Sequence, residues 1–138
     1  MKKWLTLFAF CVGVTVLTAL LSACSGKPAI SVTDSLLTLG DVVNGDVITR
    51  EVSVQNNGQA DLIIDTVTTS CGCTQATIEP LTIPAGSSGT LSISFDSGAH
   101  GPALTGPLVR QVFITSNDPQ QPEITVELTA NILPPAGS

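Results

Sequence analysis

The sequence predicts an all-β domain, a two-layer sandwich of about seven short strands, preceded by a secretory segment. Three observations carry that prediction. Outside the first 24 residues, no stretch sets apolar residues at the i, i+3, i+4, i+7 positions of an amphipathic helix. Several short runs instead alternate apolar and polar residues, as strands with one buried face do. Between them, Asn, Asp, Gly and Pro mark turns at a spacing of about eight to twelve residues. Together these features read as an immunoglobulin-like β-sandwich. It is not of the antibody kind. The only aromatic residues after Cys24 are Phe95 and Phe113, and the two later cysteines are too close in sequence to bridge two sheets.

The N-terminus stands apart from the fold. Lys2 and Lys3 precede an uncharged apolar run from Trp4 to Leu21, which Leu21-Ser22-Ala23-Cys24 closes. Basic, apolar and small-residue segments in that order make a secretory signal. The last four residues resemble the lipobox of bacterial lipoproteins, in which the cysteine is acylated and becomes the first residue of the mature chain. An uncleaved membrane helix is the alternative, since about 18 apolar residues just span a bilayer. The small-small-Cys ending favours processing. The expected organisation is a signal peptide over 1–23, a lipidated Cys24 and short linker over 24–29, a sandwich over 30–133 and a frayed tail over 134–138. The domain is then extracytoplasmic, a membrane-anchored lipoprotein of a bacterial cell envelope. Ser25 in place of Asp favours the outer membrane where there are two.

Charge narrows the partners. All 11 acidic residues lie after Cys24, against three basic ones, Lys27, Arg50 and Arg110, which gives a net charge of −8. Such a surface repels phosphate backbones and anionic headgroups, so nucleic acid is disfavoured and the lipid is the anchor. The mature length suits one domain with a core of its own.

Each element follows from its pattern. Ile30, Val32, Leu37 and Leu39 make a first strand, broken near Asp34, and Gly40-Asp41 and Asn44-Gly45-Asp46 mark turns. Ile48, Val52 and Val54 share one face of a strand over 47–55, which Arg50 interrupts. Asn56-Asn57-Gly58 predicts a hairpin into the next strand, Leu62 to Thr69. Leu62 and Ile64 are its core pair, and the change of phase at Asp65 predicts a bulge. Ile78, Leu81 and Ile83 sit on short extended pieces interrupted by Pro80 and Pro84. Leu91, Ile93 and Phe95 alternate with serines, so they define a half-buried strand. A long loop from Asp96 to Pro107 holds His100, the only histidine. A strand over 108–115, a turn at Asn117-Asp118-Pro119 and a strand carrying Ile124, Val126, Leu128, Ala130 and Ile132 complete the chain.

The order Asn56-Asn57-Gly58, Leu62-x-Ile64, Ser70-Cys71-Gly72-Cys73-Thr74, Pro84-Ala85-Gly86, Phe95-Asp96 and Ser116-Asn117 resembles the bacterial domain-of-unknown-function family 1573, over about residues 36–132. That family is similar to a wider Ig-like set, including major sperm protein and cilium-associated modules, whose members mostly bind other proteins. The resemblance implies the fold and no particular activity. The loop from Asp96 to Pro107 is longer than the short glycine turn usual for the family, so nothing about His100 carries over.

Chemistry, if the domain performs any, centres on Cys71 and Cys73. Three readings stand. The first is structural: buried thiols, or a disulfide that locks the turn in a tight ring, with Gly72 where the backbone bends. The second is redox, through an exposed and exchangeable disulfide. Against it, the pair has one intervening residue, no helix follows, and no Lys or Arg is near in sequence. The third is Cu(I), gripped by Cys71 and Cys73 with His100 as a third ligand. Structural zinc wants four ligands, and the chain offers three of the N/S kind. Asp96, Ser97 and His100 are too close in sequence to converge as a hydrolytic triad. Asp61 and Asp65 read as solvated strand faces. Asp41 and Asp46 lack the spacing of a calcium loop. The function expected is therefore a non-enzymatic protein-binding or scaffolding module, with thiol redox or Cu(I) handling as the alternative. Exposure of the two sulfurs is the feature that separates them.

Overall fold

The computed structural model describes residues 26–137. The signal segment, Cys24 and Ser25 lie outside the described residues. Among the described residues, nine strands form two facing sheets, an Ig-like sandwich. They are β1 (Ile30–Val32), β2 (Leu36–Val43), β3 (Val47–Asn56), β4 (Leu62–Thr69), β5 (Thr74–Glu79), β6 (Thr82–Ile83), β7 (Ser88–Asp96), β8 (Gly106–Ser116) and β9 (Glu123–Leu133). One sheet runs β1-β3-β7-β5 and the other β2-β9-β8-β4-β6. The excess over the seven expected comes from short pieces, β1 and β6, that cap the edges.

The core forms where the two inner faces meet. Val52, Val54, Ile78, Leu91, Ile93 and Phe95 from the first sheet pack with Leu62, Ile64, Val112, Ile114, Val126, Leu128 and Ile132 from the second. Alternation places them there, because successive side chains in a strand point to opposite faces. Two elements read from sequence hold as expected. The pairing of β4 with β8 shifts register between Ile64 and Thr66, so Asp65 is the bulge. Asn44-Gly45-Asp46 is a tight turn, with Gly45 at φ 104° and the Asp46 N–H donating to the Val43 carbonyl at 3.0 Å.

Two expectations are corrected. Asn56-Asn57-Gly58 is not a hairpin, because β3 and β4 belong to different sheets. A hairpin turn would need positive φ at its centre, and none of the three residues has it. The Asn56 amide is buried instead. Its Nδ2 donates to the Ala60 and Ile83 carbonyls at 2.8 and 2.9 Å, and its Oδ1 accepts from the Ala29 and Gly58 N–H groups at 3.2 and 3.0 Å. Gly40-Asp41 is not a turn either. It lies inside β2, where Gly40 at φ 74° accommodates a bulge in the strand's parallel pairing with β9. The break near Asp34 also does more than expected. It sends β1 to one sheet and β2 to the other. Leu81 lies between β5 and β6 and is exposed.

At the Asn56 end, Asp118 closes the β8–β9 turn onto β1. It is buried, with Oδ2 accepting from the Ile30 N–H at 2.9 Å and Oδ1 from the Gln120 and Gln121 N–H groups at 2.8 and 3.2 Å. Burial pushes this carboxyl up, the three backbone donors pull it down, and the balance leaves it below its ordinary value.

Candidate functional site

The Ser70–Cys73 turn lies at the end of the sandwich opposite Asn56, where the chain passes from β4 in one sheet to β5 in the other. Small hydroxyl side chains hold its backbone. Thr69 Oγ1 lies 3.0 Å from the Cys71 carbonyl and 2.9 Å from the Thr74 carbonyl, which ties the two strands together. Ser70 is pinned to β8, where its N–H donates to the Gln111 carbonyl and its Oγ accepts from the Gln111 N–H. The Asp96 N–H donates to the Cys73 carbonyl at 2.8 Å and brings in the end of β7.

Cys71 and Cys73 form a disulfide, with their Cα atoms 5.3 Å apart. The Cys73 N–H also points at Cys71 Sγ, 3.0 Å away. The two residues differ in exposure. Cys71 is half-buried, whereas Cys73 is 3% exposed and part of the core. The expected test by exposure thus divides between them: one sulfur is at the rim and the other is beneath it. Gly72 differs from expectation. Its φ lies outside the left-handed region, and a Cβ there would meet nothing within 4 Å. The bend therefore does not require glycine.

Two side chains from distant parts of the chain converge on the pair. His100 Nε2 is 3.6 Å from Cys71 Sγ, from a residue 29 positions on. Its loop is held by buried polar groups. Ser97 Oγ accepts from the Gly45 N–H and lies within 2.9 Å of the Val43 and Asp46 carbonyls. Asn44 Nδ2 donates to the Gly101 and Leu104 carbonyls just after His100. Ser97 is thus a structural hydroxyl, which removes it from hydrolytic chemistry. Arg110 Nε donates to Cys73 Sγ at 3.1 Å, 37 residues away in sequence, and its Nη1 donates to the Val109 carbonyl.

Sequence reasoning missed Arg110. The signal was its parity: it shares the inward face of β8 with Leu108, Val112 and Ile114, and a charge in that position is unexpected. As metal ligands, Cys71, Cys73 and His100 have their donor atoms within 4.8 Å of one another. Once reduced, this set suits a soft monovalent ion and is one ligand short for structural zinc. Asp61 and Asp65 are exposed, Asp41 is hydrogen-bonded to Asn131, and none joins the cluster.

Solved structures share the fold. A protein of unknown function from Porphyromonas gingivalis is 20% identical with a TM-score of 0.67, over 80% of this chain and 50% of that one. The seventh PapD-like domain of human CEP192 is 10% identical with a TM-score of 0.59, over 78% of this chain and 87% of that one. The Vibrio cholerae protease VesB is 12% identical with a TM-score of 0.59, over 76% of this chain and 32% of the protease. The chain thus spans half of the Porphyromonas protein and about a third of the protease. At these identities the likeness is one of fold. No curated protein matches the sequence. The model of the family described as protein of unknown function (DUF1573) matches residues 30–132, and the chain belongs to that family.

Proposed function

We propose that the chain is a lipid-anchored Ig-like module of the bacterial cell envelope that binds another protein and turns over no small-molecule substrate. One observation carries the binding half of this reading, an open flank between β4 and β5. Among the described residues β5 pairs only with β7, and beyond Ile64, whose N–H donates to the Leu81 carbonyl, β4 pairs only with β8, so two strand edges face each other across a groove of about 340 Å³. Val67, Ala76 and Ile78 line it, Leu81 is 58% exposed at its border, and Asp65 and Glu79 supply negative charge. Such edges accept an extended segment by strand addition. The lining favours apolar side chains with basic neighbours. A photo-reactive residue at Thr77 is expected to cross-link one partner in intact cells, and Leu81→Asp to abolish the product. Equal cross-linking from Glu51, on the outer face of β3, would sink the reading. The anchor is tested separately: Cys24→Ser is expected to move the chain from the membrane fraction to the soluble one.

A second reading, thiol redox or Cu(I) handling, is favoured by the convergence of His100 and Arg110 on the two sulfurs. Neither residue is needed to close a turn that Thr69 and Ser70 already hold.

A further inference from the structure

The Cys71–Cys73 disulfide is asymmetric in its surroundings as well as its exposure. A neutral disulfide has no use for a cation. Yet Arg110 brings its guanidinium to the core-facing side of β8, among Leu39, Phe95, Leu108 and Leu128, with Nε on the buried sulfur. Its Nη1 donates to the Val109 carbonyl at the exposed rim, so the cation stays solvated there, while its Nε points at the sulfur that would carry full negative charge as a thiolate. At the other sulfur, Cys71 faces the rim, beside the exposed His100 and the bare Gly72.

We propose that the pair is an exchange disulfide with fixed polarity: Cys71 is the sulfur attacked, and Cys73 is the leaving group that Arg110 stabilises. The inference rests on the redox form of the second reading and names its substrate class, a pair of cysteines in a protein segment. A partner thiolate attacks Cys71 Sγ. The new S–S bond forms as the Cys71–Cys73 bond breaks, and the electron pair goes to Cys73 Sγ beside the guanidinium. The partner's second thiolate then attacks its own sulfur in the mixed disulfide and releases Cys71 as a thiolate. The partner dithiol has lost two electrons to the Cys71–Cys73 pair, and its two protons go to water or to the released sulfurs. His100, in contact with Cys71 Sγ, is placed to deliver one of them.

The test uses the full chain in detergent, equilibrated with defined mixtures of reduced and oxidised glutathione and read by alkylation and intact mass. Arg110→Met keeps the length of the stem without the charge. It is expected to shift the exchange equilibrium about tenfold toward the disulfide, a potential about 30 mV more reducing. Arg110→Lys is expected to restore part of the shift. With oxidised glutathione after full reduction, Cys73→Ser should form a mixed disulfide at Cys71 at least about tenfold faster than Cys71→Ser does at Cys73. Denaturant midpoints of each variant separate unfolding from chemistry. Exchange that is indifferent to Arg110, or equal rates in the two serine variants, overturns the polarity and leaves the redox reading standing. A folded wild-type pair inert to glutathione overturns both.

Discussion

Among the connections that carry the chain between the sheets, the two that flank β4, one at each end, are built on opposite plans. The Asn56 corner closes on itself. Its carboxamide is 1% exposed, and its four hydrogen bonds all end within the corner or on the neighbouring Ala29 and Ile83 backbones. Gly58 packs so tightly there that an added Cβ would collide with the Lys27 carbonyl. The Ser70–Cys73 turn also satisfies its backbone, through Thr69 and Ser70, and then draws in two side chains more. His100 and Arg110 approach the sulfurs from a long loop and from β8. A connection that serves closure alone resembles the first. The surplus at the second is what marks it as a site.

If that contrast holds, removing Asn56 should do the most damage to folding. Asn56→Ala strips two donors and an acceptor from its backbone partners, among which the Ile83 carbonyl is buried. The expected loss is about 3 kcal/mol of unfolding free energy, since each buried group left unsatisfied costs about 1–3 kcal/mol. Urea unfolding measures it, and exchange of Cys71–Cys73 with glutathione in the folded state should be unchanged. A loss below about 1 kcal/mol would mean that the corner is held by Gly58 packing and not by the amide.

The cysteines should matter less to stability. A disulfide closing a three-residue loop removes little chain entropy, and the loop-closure relation gives about 1.6 kcal/mol. Replacing both cysteines by serine, or reducing the wild type, is expected to lower the unfolding free energy by about that much or less. The sandwich should remain cooperative, because its core lies between the sheets. A loss as large as that of Asn56→Ala would erase the contrast and return the turn to a structural clasp.

The sequence made the core legible and left the connectivity obscure, and the two connections show why. Alternation alone places Leu91, Ile93 and Phe95, or Val126 and Leu128, on a buried face, since the period of a strand is local. Which sheet a strand joins is not local. Asn56-Asn57-Gly58 has the composition of a hairpin, and only the docking of Ala29 and Ile83 on Asn56 turns it into a crossing. The same holds for the site. Cys71 and Cys73 were evident from spacing, and His100 from being the sole histidine. Arg110 was hidden, because its meeting with Cys73 depends on the pairing of β4 with β8 and on the fold of an end of the sandwich that no spacing encodes.

The smallest expected effect belongs to Asp118, on the same end as Asn56. Its carboxyl is held below its ordinary value of 3.8: burial opposes the shift, and the Ile30, Gln120 and Gln121 N–H groups outweigh it. A carboxyl lowered on folding stabilises the native state fully above its unfolded value, about 3.9, and that contribution fades as pH falls through the folded value. Urea midpoints followed downward from about pH 6 should therefore drop below about pH 4 in the wild type. In Asp118→Asn, which keeps an oxygen for the Ile30 N–H, the acid drop should be shallower and the neutral-pH midpoint slightly lower. The glutathione equilibrium at Cys71–Cys73 should not respond, because nothing in the corner reaches the other end of β4. An acid limb of equal depth in both proteins would show that burial cancels the three donors.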